Sequence, residues 1–202
     1  MKSESREVCY TCYRPATSCM CKYITPIETK TRFVILMHPK EFKKTKNGTG
    51  HFTNLSLKHC EIHVGVDFSS HDKINQIIND RSNNCFVLYP HKNSIELNEN
   101  PISKVDKNTV LFLIDATWPC SRAILTASPN IDALQKVSFT HREMSGFTFK
   151  HQPKEYCLST MESTLYVLKL LNKHKEEEIE NSKLDNFLLP FRKMVSYQLS
   201  CN

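Results

Sequence analysis

Apolar residues fall along this chain in short runs divided by polar stretches, and the spacing inside the runs is of two kinds. Residues 32–37 (Arg-Phe-Val-Ile-Leu-Met) and 110–114 (Val-Leu-Phe-Leu-Ile) are nearly uninterrupted, as strands buried on both faces should be. Residues 60–66 alternate, 85–89 form a third short run closed by Pro90, and a further short strand is expected around 134–139. Between them, 74–78 and 164–171 carry helical spacing, and Ser159-x-x-Glu162 before the second has the pattern of a capping box. A break at 187–191 precedes a closing helix that runs to Leu199. Strands alternating with helices predict an α/β fold, a mostly parallel sheet with helices on both faces. Residues 43–50 and 91–108 read as loops, the latter with a poorly packed helix as an alternative. Residues 173–180 read as a charged, solvated stretch.

The run 110–114 stops abruptly at Asp115-Ala116-Thr117-Trp118-Pro119, which holds the chain's only tryptophan. Thr117 can cap a helix over 119–128 whose first turn contains Pro119, a residue that a helix interior refuses. Asp115 and Trp118 are thereby placed at the carboxyl end of a central strand, the edge at which open α/β sheets bind ligands. A buried turn with Trp118 as ordinary core is the plain alternative.

Composition narrows the chemistry. Only 4 glycines occur in 202 residues, and no G-x-G-x-x-G can be written, which argues against a dinucleotide fold. A net charge of +6 leans towards polyanionic partners. No run approaches the roughly 18 apolar residues of a membrane span, and the amino end lacks an apolar signal region, so a cytoplasmic protein is expected. Four of the 9 cysteines stand as Cys9-x-x-Cys12 and Cys19-x-Cys21. In a reducing compartment this set suits tetrahedral Zn²⁺, and four sulfur ligands leave no open position, so the site is structural. The expected organisation is a zinc motif over 1–30 and a catalytic domain over 31–202. Lys43, Lys44 and Lys46 crowd Asn47 and two glycines in a loop that could hold phosphate oxygens. The stretch 146–150, ending in Lys150, pairs aromatic side chains with a cation and could touch RNA.

Three motifs taken together, Cys9-x-x-Cys12-x-Arg14-Pro15 with Cys19-x-Cys21, Asp115-Ala116-Thr117-Trp118, and Leu158-Ser159-Thr160-x-Glu162, resemble the DTW-domain family of tRNA-uridine aminocarboxypropyltransferases. Leu36-x-His38-Pro39-x-Glu41, Asn47-x-Thr49-Gly50 and Leu88-Tyr89-Pro90 add to the likeness. The resemblance implies a SPOUT-like fold whose carboxyl-terminal half is threaded into a trefoil knot, and S-adenosylmethionine as the donor. Loops after Leu88, Ile114 and about Cys157 would converge on that donor. It further implies transfer of a 3-amino-3-carboxypropyl group to N3 of a uridine in tRNA, with methylthioadenosine released.

On that reading Asp115 handles the N3 proton, Trp118 lies against the adenine or sulfonium, and Thr117, Ser159, Thr160 and Glu162 bond the amino-acid portion or ribose. Leu88, Tyr89, Pro90, Ile114 and Leu158 complete the expected donor site. The lysines at 43–46 would position tRNA phosphates. The chain departs from the family pattern at Ala116, where glycine is usual, at His51, and at 147–150, where a tyrosine and arginines are usual; the last two changes bear on RNA contacts. A SPOUT-type methyltransferase and a non-catalytic zinc RNA-binding module are the alternatives.

Overall fold

The computed structural model describes residues 7–43, 48–104, 106–141 and 158–201. Among the described residues six strands form one sheet in the order β2-β1-β5-β3-β6-β4, with every pairing parallel. They are β1 (Arg32–Met37), β2 (Cys60–Val64), β3 (Asn83–Leu88), β4 (Ile95–Glu96), β5 (Asn108–Asp115) and β6 (Gln135–Ser138). The two continuous apolar runs of the sequence are thus the adjacent central strands β1 and β5, with Met37 opposite Asp115 in register.

Alternation along these strands divides the core in two. Phe33, Ile35, Met37, Leu111 and Leu113 point to one face, Val34, Leu36, Val110 and Phe112 to the other. The first face is covered by α2 (Thr49–Ser56), α6 (Thr160–Lys173), α7 (Asn181–Asn186) and α8 (Leu189–Ser200), through Phe52, Met161, Leu168, Leu184, Phe191 and Met194. The second is covered by α3 (Asp72–Asn79), α4 (Trp118–Ala127) and α5 (Pro129–Asp132), through Ile74, Ile77, Ile124 and Ile131. A single turn, α1 (Pro39–Phe42), follows β1. The expected α/β architecture with helices on both faces is what forms.

Three elements differ from the sequence reading. Helix α2 begins inside the expected loop and occupies 49–56, where glycine, threonine and asparagine are poor helix formers; burial of Phe52, Thr53 and Ser56 stabilises it. Strand β4 lies within the expected loop 91–108, and β5 starts at Asn108. The extended segment expected at 146–150 falls outside the described residues, as does Cys157. No helix among the described residues is long and apolar enough to cross a membrane.

Candidate active site and four-cysteine centre

The candidate site is built where β5 ends. Asp115 is the last residue of that strand, 8% exposed, and its side chain shares a face with Leu111 and Leu113. That direction aims it at the amino-terminal turns of α2 and α6. Thr160, the first residue of α6, donates its hydroxyl to Asp115 Oδ1 at 2.6 Å. On the other side the backbone of Gly50, in the first turn of α2, comes so close that a Cβ there would lie 2.2 Å from Asp115 Oδ2 and 2.8 Å from Met37 Cε. Only glycine fits between strand end and helix. Helix amino termini favour negative charge, so the carboxylate stands where two helices favour it.

The start of α6 is fixed by a complete capping box. Ser159 Oγ accepts from the Glu162 N–H at 3.3 Å, and Glu162 Oε2 accepts from the Ser159 N–H at 2.8 Å. The spacing in the sequence therefore has the structural meaning expected of it, and through the adjoining Thr160 the cap also sets the orientation of Asp115.

Across the same sheet edge, on the opposite face, lies an aromatic pair. Tyr89, just past β3, meets Trp118 edge-to-face with ring centroids 6.0 Å apart. Trp118 is 42% exposed, so it is not core. Thr117 occupies the N-cap position of α4, but its hydroxyl caps nothing; the Ser121 N–H reaches the Thr117 carbonyl instead. Leu88 and Ile114, at their strand ends, are half-buried, Pro90 is exposed, and Leu158 stands at the foot of α6.

His38 belongs to this edge and was not assigned to the site from sequence. It caps α1, is 8% exposed, and its backbone N–H donates to the Asp115 carbonyl at 3.0 Å. Its Nδ1 accepts from the Lys40 N–H at 3.1 Å, which puts the ring proton on Nε2. The Leu36-x-His38-Pro39 pattern was the available signal; what it lacked was the parallel register that sets Met37 beside Asp115.

The four cysteines do come together. A left-handed Tyr13 (φ 56°) closes the turn after Cys12, the Cys9 N–H bonds the Arg14 carbonyl, and two short 3₁₀ turns carry Cys19 and Cys21 back. All four Sγ atoms lie within 4.8 Å of one another, with Cys9–Cys21 and Cys12–Cys19 each at 3.8 Å. Tetrahedral Zn–S bonds of ~2.3 Å require edges of ~3.8 Å. Backbone N–H groups of Cys12 and Thr11 draw the Cys9 thiol down to about 6, while burial pushes those of Cys19 and Cys21 up. Arg14, 3% exposed, places its guanidinium 4.5 Å from the Phe52 ring centroid and its Nη2 2.9 Å from Met194 Sδ, tying the cluster to α2 and α8. A buried cation beside four thiolates suits a metal centre of net negative charge.

Of the residues expected to meet RNA, Lys43 is exposed at the end of α1. Lys44, Lys46, Asn47 and Lys150 lie outside the described residues.

The chain is 29% identical over 204 residues to tRNA-uridine aminocarboxypropyltransferase 2 of Drosophila melanogaster, covering 96% of this chain and 76% of that protein. It is 25% identical over 200 residues to the protein of the same name from Mus musculus, covering 98% of this chain and 65% of that one. The chain thus spans somewhat under two thirds of the mouse protein. No solved structure matches it significantly. The family model of the DTW domain matches residues 6–199, a span that includes the four cysteines, Asp115 and the capped start of α6. The chain belongs to the DTW domain family.

Proposed function

We propose that this protein is a cytoplasmic tRNA-uridine aminocarboxypropyltransferase that uses S-adenosylmethionine. The observation that carries the reading is the Asp115 carboxylate, locked by Thr160 and Gly50 at the sheet edge of a DTW-domain chain. The donor supplies an electrophilic methylene next to a sulfonium. Asp115 takes the proton from uridine N3 as the N3–C bond forms and the C–S bond breaks, its electron pair leaving on the sulfur of methylthioadenosine. Holding the acceptor in line with that methylene, and not with the methyl, is a task of orientation, which a rigid strand end suits.

Trp118 and Tyr89 offer exposed aromatic surface for adenine or the sulfonium. The Thr117 hydroxyl, unused by its helix, is available to a ribose or the amino-acid portion. Cys9, Cys12, Cys19 and Cys21 would hold Zn²⁺ as a structural ion of the region 1–30, seated on the catalytic region 31–202 through Arg14. The SPOUT-like knot, with its third loop following about Cys157, is part of the same proposal.

The test is mass spectrometry of nucleosides from unmodified tRNA incubated with the protein and S-adenosylmethionine, with the by-product identified. An aminocarboxypropyl gain on uridine with methylthioadenosine supports the reading. A methyl gain with S-adenosylhomocysteine replaces it with a methyltransferase, and tRNA binding without any transfer replaces it with a binding module.

A further inference from the structure

Among the described residues six lysines and arginines pair with acids: Lys30 with Glu178, Arg32 and Lys73 with Glu61, Lys58 with Glu28, Lys136 with Asp132, Lys183 with Glu180. Lys169 on α6 and Arg192 on α8 stand out by their place. Both are exposed, neither has an acid partner among the described residues, and both line one cavity of about 400 Å³ between the two helices. The cavity starts at Leu158 and Glu162, beside the Asp115–Thr160 pair, and follows α6 to Lys169, about 10 Å further along the helix axis.

Its chemistry is divided. Leu165 and Phe191, both core residues, make the floor apolar. Tyr166 forms a wall, stacked on Phe139 at 4.9 Å and met edge-on by His141 at 5.9 Å. Glu162, the acid among the lining residues, already has its carboxylate on the Ser159 N–H. An apolar floor, an aromatic wall and two uncompensated cations at the rim match a planar base attached to a phosphate.

We propose that this cavity receives a nucleotide of the RNA substrate neighbouring the uridine that is modified, its phosphate between Lys169 and Arg192 and its base along Tyr166. The assignment rests on the proposed tRNA substrate and adds to it a further point of RNA contact.

The experiment measures affinity of the full chain for an unmodified tRNA transcript across a salt series, for wild type, Lys169→Gln/Arg192→Gln and the charge-conserving Lys169→Arg/Arg192→Lys. Each lost phosphate contact removes about 0.7–0.9 from the slope of log Kd against log salt. The glutamine variant, having lost that one phosphate contact, should lose about 0.7–0.9 from that slope and bind tRNA about tenfold more weakly. Its S-adenosylmethionine affinity and melting temperature should stay at wild-type values, and the charge-conserving variant should restore the slope. If wild type binds tRNA and the glutamine variant keeps the same slope, the cavity is not an RNA site. If wild type binds no tRNA, the proposed substrate falls first and this inference with it.

Discussion

At Gly50 the distance between a helix backbone and a carboxylate is set by the absence of one methyl group. Gly50→Ala would drive a carbon into Asp115 Oδ2 and the Met37 methyl, and the carboxylate must move. Displacements of about 1 Å at a reacting group cost on the order of 10²-fold in rate, so steady-state transfer by Gly50→Ala should fall by about that factor with donor binding retained. Asp115→Asn, which preserves shape and removes the base, should abolish transfer and also retain donor binding by titration calorimetry. Equal activity of Asp115→Asn and wild type would take Asp115 out of the chemistry. Asp115 and Trp118 were legible in the sequence because a buried run breaks off at them. Gly50 and His38 were not, since each matters through a neighbour 65 or 77 positions away, and no local pattern encodes that proximity.

Elements were legible in proportion to how strongly local pattern and burial agreed. Strands β1 and β5, apolar on both faces, announce themselves; α2, with a glycine and two threonines, is helical because β2 and α6 bury it. The edge strand β2 shows a charge device invisible in its pattern. Glu61 accepts from Arg32 Nε at 3.1 Å, lies 3.2 Å from His63 Nε2, and also pairs with Lys73 and Arg32 Nη2. Burial raises the Glu61 carboxyl, but the lysine and arginine outweigh it and hold it below the ordinary range. A depressed acid contributes its stability above its unfolded value, about 4.3, and loses it as pH falls through the folded one. Glu61→Gln should therefore cost about 1 kcal/mol in urea unfolding at pH 7, the exposed cations being screened. The deficit should shrink as pH falls below the ordinary carboxylate range and through the folded value. A deficit independent of pH would assign the loss to packing.

For the molecule as a whole, the four-cysteine centre is not a separate bead, because Met20 and Ile27 enter the same core as α6 and α8. Metal removal should then be felt throughout. Zinc-loaded protein is expected to contain one metal per chain, and chelation or Cys12→Ser should lower the melting temperature by about 5–10 °C, read by calorimetry. Loss of metal without a shift would mean that the centre is only peripheral. The motif itself was fully legible, since ligand spacing is a local property. Its attachment was not, because Arg14 reaches Phe52 and Met194, residues that only the finished sheet brings near.

The bond from Arg14 to Met194 joins positions 180 residues apart. During synthesis the cysteine loop emerges well before α8 and can close on a metal while the helix on which it rests is still to be made. Contacts of such long range form late in folding. The cysteine loop is thus seated long after it has been made, and the buried guanidinium acts as a latch that closes only once α8, 180 residues further along, is in place.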